Sequence, residues 1–360
     1  MGYTAIAAPI AALCFAVIGV VAFKYRHRIE AIPVQLAVKP VPSGPASPLR
    51  LSQAVLDASG EMFPVDVWFP ANAEHSLSPE QSRFPVVIYA PGWGNSRDDN
   101  TLLCAELASH GLAVLALDDI SKSPSPNPAD RARDTAPFDL SSDAALERSL
   151  TAADWRLNRM TSRVSAIIGW LHAQESAKIQ GPLRGHLDTS RIAVLGFSFG
   201  GSVAAEMTRL DSHVVAAINM DGWLFGISAK LGPEKPVLIF NSDYPELAAD
   251  STSNVPVRRL TAKLTIADRE LQQRDAGHAG TIALLFRNTD HGDFSDELFT
   301  PPLGAYLEQW HRTGAQRLRL RANMNQLILG FLETHLTGAT SNPLARIPDL
   351  ENSGIEILAR

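Results

Sequence analysis

Residues 190–205, Ser-Arg-Ile-Ala-Val-Leu-Gly-Phe-Ser-Phe-Gly-Gly-Ser-Val-Ala-Ala, constrain the chain more than any other stretch. An apolar, β-branched run, Ile192 to Leu195, meets Gly196-Phe197-Ser198-Phe199-Gly200, and a helical pattern begins at Ser202. A strand that turns at once into a helix leaves no room for side chains beside the turn. Glycines must therefore flank it, and its apex is held at a strained backbone position. Ser198 is that apex, with its hydroxyl expected above the carboxyl end of the strand. A bare Gly-x-Ser-x-Gly arises by chance in about one chain of this length in ten, so the weight lies in the strand-to-helix context.

The segments on either side repeat the same alternation. Leu49 to Leu56 and Met62 to Phe69 alternate apolar and polar residues, as antiparallel opening strands would. Phe84 to Ala90 and Leu112 to Leu117 are nearly continuous apolar runs, the mark of strands buried on both faces, with a helical pattern over Leu102 to Ser109 between them. Leu146 to Ala173 reads as a long helix, and Val214 to Met220, Pro236 to Asn241 and Thr281 to Phe286 as further strands, each followed by polar residues. Asn325 to Leu336 reads as a closing amphipathic helix. Strand and helix in alternation predict an α/β fold, with a mostly parallel central sheet, right-handed crossovers and helices on both faces. Residues 119–140, with Pro124, Pro126, Pro128 and Pro137, break the rhythm and read as either a mobile lid or a surface insertion.

Thr4 to Phe23 is uncharged and about long enough to cross a bilayer as a helix. Its cations, Lys24, Arg26 and Arg28, follow the apolar run rather than precede it. A membrane anchor with the remaining chain on the cytoplasmic side is the expectation, and a cleaved signal peptide with secretion the alternative. Five prolines between Pro33 and Pro48 suggest an extended spacer. The expected organisation is an anchor over 1–28, a linker over 29–48, a globular domain over 49–340 and a tail over 341–360.

A net charge of −6 lacks the concentrated basic surface that phosphate neutralisation requires, which argues against a nucleic-acid partner. The two cysteines, Cys14 and Cys104, make neither a disulfide framework nor a zinc cluster. Arg317, Arg319 and Arg321 read as a solvated basic face. Asp290, Asp293, Asp296 and Glu297 lack calcium-loop spacing and read as loop acids. No cofactor is expected.

A serine hydroxyl becomes a useful nucleophile when a base takes its proton and an acid orients that base. His291 directly follows the Thr281–Phe286 strand and is the expected base; His278, before that strand, is the weaker choice. For the acid, Asp221 ends one strand after the elbow helix and Asp243 ends the next, and position alone leaves both open. Two backbone N–H groups are needed for an oxyanion. Phe199, after the serine, and Trp93, in the Pro91-Gly92-Trp93-Gly94 turn, are the candidates.

Several segments, in order, are similar to the plasma-type platelet-activating-factor acetylhydrolases. They are Ala-Pro-Gly-Trp-Gly (90–94), Asp-Thr-Ser-Arg-Ile-Ala-Val-Leu-Gly-Phe-Ser-Phe-Gly-Gly (188–201), Asn-Met-Asp-Gly-Trp-Leu-Phe (219–225), Pro-Val-Leu-Ile-Phe-Asn-Ser-Asp-Tyr (236–244) and His-Gly-Asp-Phe-Ser-Asp (291–296). The resemblance implies an α/β-hydrolase fold and a calcium-independent phospholipase A2 that removes short or oxidised acyl groups from a lipid ester. It also assigns the acid to Asp221 and the base to His291. Three departures stand out: Phe197 where a histidine is usual, Trp93 where a smaller apolar residue is usual, and a long stretch from Asp243 to His291. Short-chain esterases and polyester hydrolases share much of the pattern and are the alternative reading, with a catalytically inactive binding protein of the same fold behind them.

Overall fold

The computed structural model describes residues 39–71, 83–176, 185–277, 279–301, 312–340 and 342–360. The Thr4–Phe23 run, expected to be an anchor helix, and His278 lie outside these residues. Among the described residues, no helix is long and apolar enough to cross a membrane.

One nine-stranded sheet organises the unit formed by Val41–Glu297 and Ala322–Arg360. Its strands are β1 (Ser47–Leu56), β2 (Met62–Ala71), β3 (Phe84–Ala90), β4 (Ala113–Leu117), β5 (Leu187–Phe197), β6 (Val214–Met220), β7 (Val237–Asn241), β8 (Ile282–Phe286) and β9 (Ile355–Ala359). They lie in the order β1-β2-β4-β3-β5-β6-β7-β8-β9. The run from β4 to β8 is parallel, while β1, β2 and β9 join antiparallel. This is the mixed, mostly parallel sheet that the alternating pattern predicts. The continuous apolar strands are buried along almost their whole length, β4 and β7 completely. Such burial requires cover on both faces, and the alternating β1 is instead largely exposed at the edge.

The connecting helices are α1 (Thr101–Ser109), α2 (Pro128–Asp134), α3 (Asp143–Ser176), α4 (Phe199–Leu210), α5 (Gly226–Leu231), α6 (Pro256–Asp275) and α7 (Gly314–Leu332). From β3 the chain crosses through α1 to β4 on one side; from β5 it crosses through α4 to β6 on the other. Right-handed connections running in opposite directions place their helices on opposite faces. They also open a crevice beyond the carboxyl ends of β3 and β5, where ligands collect in open α/β sheets.

Three expectations need correction. Residues 41–48, taken as part of a spacer, are strapped to α1 and enter β1. The Ser43 amide and hydroxyl donate to Glu106 at 2.8 and 2.5 Å, and the Gly44 amide donates to Ser109 Oγ at 3.0 Å. The expected tail over 341–360 is corrected by residues 355–359, which form β9 and extend the sheet beyond β8. Arg317 and Arg321 are buried rather than solvated: Arg317 Nη1 donates to the Leu298 carbonyl at 2.6 Å, and the Arg321 guanidinium lies over the Phe299 ring. Arg319 is exposed.

Candidate active site

Strand β5 ends at Phe197 and α4 begins at Phe199, so Ser198 alone makes the turn, at φ 54° and ψ −125°. A non-glycine residue persists there only when its surroundings over-determine it. The surroundings do so: the Ser198 amide donates to the Met220 carbonyl at 2.8 Å, and its own carbonyl accepts from the Gly201 amide at 2.8 Å. The flanking glycines allow the close approach. A Cβ on Gly196 would lie 2.0 Å from the Gly200 carbonyl, and one on Gly200 would lie 2.1 Å from the Ala90 oxygen.

Register places the acid. Phe197 pairs with Met220 across β5 and β6, so the residue after each, Ser198 and Asp221, emerges side by side. Asp221 is also left-handed, at φ 58°. Gly222 follows it so tightly that a Cβ there would lie 1.9 Å from the Ser198 oxygen. Asn219 staples this turn, accepting from the Gly222 amide and donating to the Gly222 carbonyl, both at 2.8 Å. Asp243 lies one strand further away and is occupied elsewhere: its carboxylate accepts from Arg287 Nη1 at 3.1 Å and from the Asn288 amide at 2.9 Å.

His291 opens a short 3₁₀ turn after β8 and bridges the other two groups. Its Nε2 is 2.9 Å from Ser198 Oγ and its Nδ1 is 2.7 Å from Asp221 Oδ2. The second Asp221 oxygen accepts from the Ser242 amide at 2.6 Å, which fixes the carboxylate's orientation. Crowding by protein atoms opposes a charged imidazole, yet the Asp221 carboxylate outweighs it and holds the His291 pKa above its ordinary value. Phe197 packs against the imidazole, ring centroids 4.8 Å apart. The neighbouring acids hold the loop: Asp293 accepts from the Asp290 amide at 2.8 Å, and Asp296 accepts from Thr101 Oγ1 at 2.7 Å and donates its amide to the Asp99 carbonyl at 2.8 Å.

The turn after β3 passes directly beside the serine: a Cβ on Gly92 would lie 3.2 Å from Ser198 Cβ. Asp99 fastens this turn, accepting from Asn95 Nδ2 at 3.1 Å, from the Gly92 amide at 3.3 Å and from the Tyr89 hydroxyl. Burial pushes its carboxyl up to about 7. Trp93 follows Gly92, and Phe199 supplies a first-turn amide, one of the four that a helix leaves without an internal partner. The Trp93 indole is clamped between Phe138 and Phe199, both edge-on at 5.2 and 5.0 Å, and under the guanidinium of Arg156 at 4.1 Å. Arg156 is fully buried and paired with Asp119; it also donates to the Asp134 carbonyl at 2.5 Å. Trp93 Nε1 donates to the Ala136 carbonyl at 3.0 Å. Residues 119–140 are therefore fastened to the turn beside the serine, and they lend Phe138 to its surroundings.

These groups line a cavity of about 340 Å³. Trp93, Phe138, Phe199, Trp223 and Phe225 form an aromatic wall, and Tyr244 with Thr261, Thr265, Asp268 and Arg269 of α6 form a more polar one. The long stretch between Asp243 and His291 is thus the helix that builds this second wall. Asp268 accepts from the Leu224 amide at 2.8 Å and from Gln272 Nε2 at 2.6 Å, and burial pushes its carboxyl up to about 6. Ser198, Asp221 and His291 are brought together, with Trp93 and Phe199 beside them; Asp243 is not. Arg156, Phe138 and the α6 wall carry no local signal in the sequence, whereas Asn219, Trp223, Phe225 and Tyr244 fall inside the segments that resemble the family.

A family model described as platelet-activating factor acetylhydrolase, isoform II, matches residues 43–132 and 174–265, just over half of the chain. These segments include Trp93, Ser198, Phe199 and Asp221. The chain is 24% identical over 190 residues to the platelet-activating factor acetylhydrolase of Cavia porcellus, covering 47% of this chain and 42% of the relative. It is 24% identical over 228 residues to that of Gallus gallus, covering 56% and 54%. The chain spans about half the length of the curated relatives it matches. Among solved structures, a ferulic acid esterase from Streptomyces cinnamoneus superposes with a TM-score of 0.59 at 20% identity, covering 88% of this chain and 98% of that one, and so shares its fold. With the elbow and its neighbouring strands inside the matched segments, the chain belongs to the platelet-activating factor acetylhydrolase isoform II family.

Proposed function

We propose that this protein is a serine hydrolase of the α/β-hydrolase type that cleaves carboxylic esters through an acyl-enzyme. The observation that carries this reading is the continuous relay from Ser198 Oγ to His291 Nε2 and from His291 Nδ1 to Asp221. Ser198 Oγ attacks the ester carbonyl carbon while Nε2 takes its proton; Asp221 holds the Nδ1–H tautomer and stabilises the imidazolium. The amides of Trp93 and Phe199 donate to the oxyanion. Collapse expels the alcohol with the proton from Nε2. Water, deprotonated by the same nitrogen, then attacks the acyl carbon; the acyl–Oγ bond breaks, the acid leaves and Ser198 Oγ recovers its proton from Nε2.

The substrate we propose is a phospholipid bearing a short or oxidised acyl group, in line with the family and with a small cavity walled by aromatic rings. The polar wall of Tyr244, Thr261 and Thr265 favours a second reading, a short-chain esterase acting on more water-soluble esters. A fluorophosphonate probe should label the wild type and not Ser198→Ala; equal labelling of both would overturn the mechanism. A chain-length series of nitrophenyl esters beside a phospholipid panel separates the two substrate classes, and rejection of every phospholipid would leave the esterase.

We also infer that Thr4 to Phe23 anchors the protein, with the catalytic domain on the cytoplasmic side, because the cations flank its carboxyl end. Protease added to sealed vesicles oriented as in the cell should spare the domain; its digestion would overturn that orientation.

A further inference from the structure

Arg269 is the only arginine or lysine among the described residues that line the cavity. Its Nε is buried and meets no hydrogen-bond acceptor. No described residue forms a hydrogen bond or a close ion pair with its guanidinium, in contrast to Arg156, which Asp119 neutralises. The acids of the cavity are already committed. Asp268 accepts from the Leu224 amide and Gln272, and Asp221 accepts from the Ser242 amide and partners His291. Helical spacing accounts for its aim: Thr261, Thr265 and Arg269 recur every four residues on α6, so one face of the helix presents all three to the cavity. The Asp268 carboxylate is near enough to feel its charge, but neither hydrogen-bonds nor closely pairs with it. A guanidinium partly withdrawn from water without such a partner is left poorly satisfied by the protein alone. It is well shaped for a two-pronged grip on a carboxylate or phosphate.

We propose that Arg269 forms an anion subsite that selects ester substrates carrying a carboxylate or phosphate group near the scissile bond. This rests on the ester-hydrolase reading above. The charge sits on the released acid or on the alcohol, and the two sources separate experimentally. Nitrophenyl hemiglutarate against nitrophenyl hexanoate tests the acyl side; the acetyl ester of glycerol phosphate against monoacetylglycerol tests the alcohol side. For full-length wild type, Arg269→Gln and Arg269→Lys, kcat and KM are measured on all four esters. Active-site concentration is set by fluorophosphonate titration and folding is checked by circular dichroism. A charge-assisted pair at this position predicts that Arg269→Gln lowers the anionic-to-neutral ratio of kcat/KM about tenfold in one arm, mainly through KM. Arg269→Lys should retain part of the preference. A ratio within about twofold of wild type in both arms, where that limit is about 0.4 kcal/mol, overturns the subsite while leaving the hydrolase intact. Failure of the wild type to hydrolyse either neutral ester overturns both.

Discussion

Asp221→Asn separates an orienting acid from a neighbouring one because the structure dictates how the asparagine must sit. The Ser242 amide donates to Asp221 Oδ1 at 2.6 Å, so the amide oxygen of the variant is held there to keep that bond. Its NH2 group then faces His291 Nδ1, at the 2.7 Å contact made by Oδ2. Two donors cannot share a hydrogen bond, so Nδ1 must become an acceptor and the imidazole proton moves to Nε2. There it points at Ser198 Oγ, 2.9 Å away, and the base can no longer take the serine proton. A triad with the wrong tautomer loses about 10⁴ in kcat, about 5 kcal/mol of transition-state stabilisation. The interaction matters in the transition state, so kcat should fall with KM little changed. Asp243→Asn is the control. It weakens a partly exposed pair with Arg287, whose side chain is 44% exposed, so stability should change by less than about 1 kcal/mol and kcat by less than about twofold. Steady-state kinetics on a nitrophenyl ester decide the matter. A loss below about tenfold in Asp221→Asn, or a severe loss confined to Asp243→Asn, would refute the assignment.

Because neutral His291 is the base and Asp221 raises its pKa, kcat/KM should fall on the acid side with an inflection above the imidazole's usual 6.5, read from a pH–rate profile. In Asp221→Asn the residual activity should show that inflection at lower pH. Gly200→Ala would drive a Cβ to 2.1 Å from the Ala90 oxygen; chemical denaturation should show a loss of about 3 kcal/mol or no folded protein. Arg156→Met strands the buried Asp119 charge, so it should cost about 3–5 kcal/mol, and adding Asp119→Asn should recover part of that in the same assay.

Strands β3, β4, β6, β7 and β8 were legible because burial on both faces writes an uninterrupted apolar run into the sequence, and Phe84–Ala90 and Val214–Met220 were read to the residue. Helix α6 was not. It is strongly polar overall, and its buried positions include Asp268, Gln272 and Asp275 beside Leu260 and Ala262, so few apolar residues mark it in the sequence. Strand β9 is five residues at a sheet edge, and its alternation is too short to stand out from loop. Arg156 looked like one polar position on a long helix, and nothing local links it to Trp93, 63 positions earlier, whose ring it covers.

The sequence by itself determined the α/β order and the serine at the apex of its turn. Both follow from local rules: the period of burial, and the need for glycine where a strand and a helix touch. The choice between Asp221 and Asp243 needed the family resemblance at that stage. The structure supplies the physical reason for it, since β6 lies against β5 in register and β7 is one strand further off. Pairing between strands, and the convergence of Arg156, Phe138 and Arg269 on one cavity, depend on contacts between residues far apart in the chain. A linear pattern does not encode them, and only the tertiary structure decided where they meet.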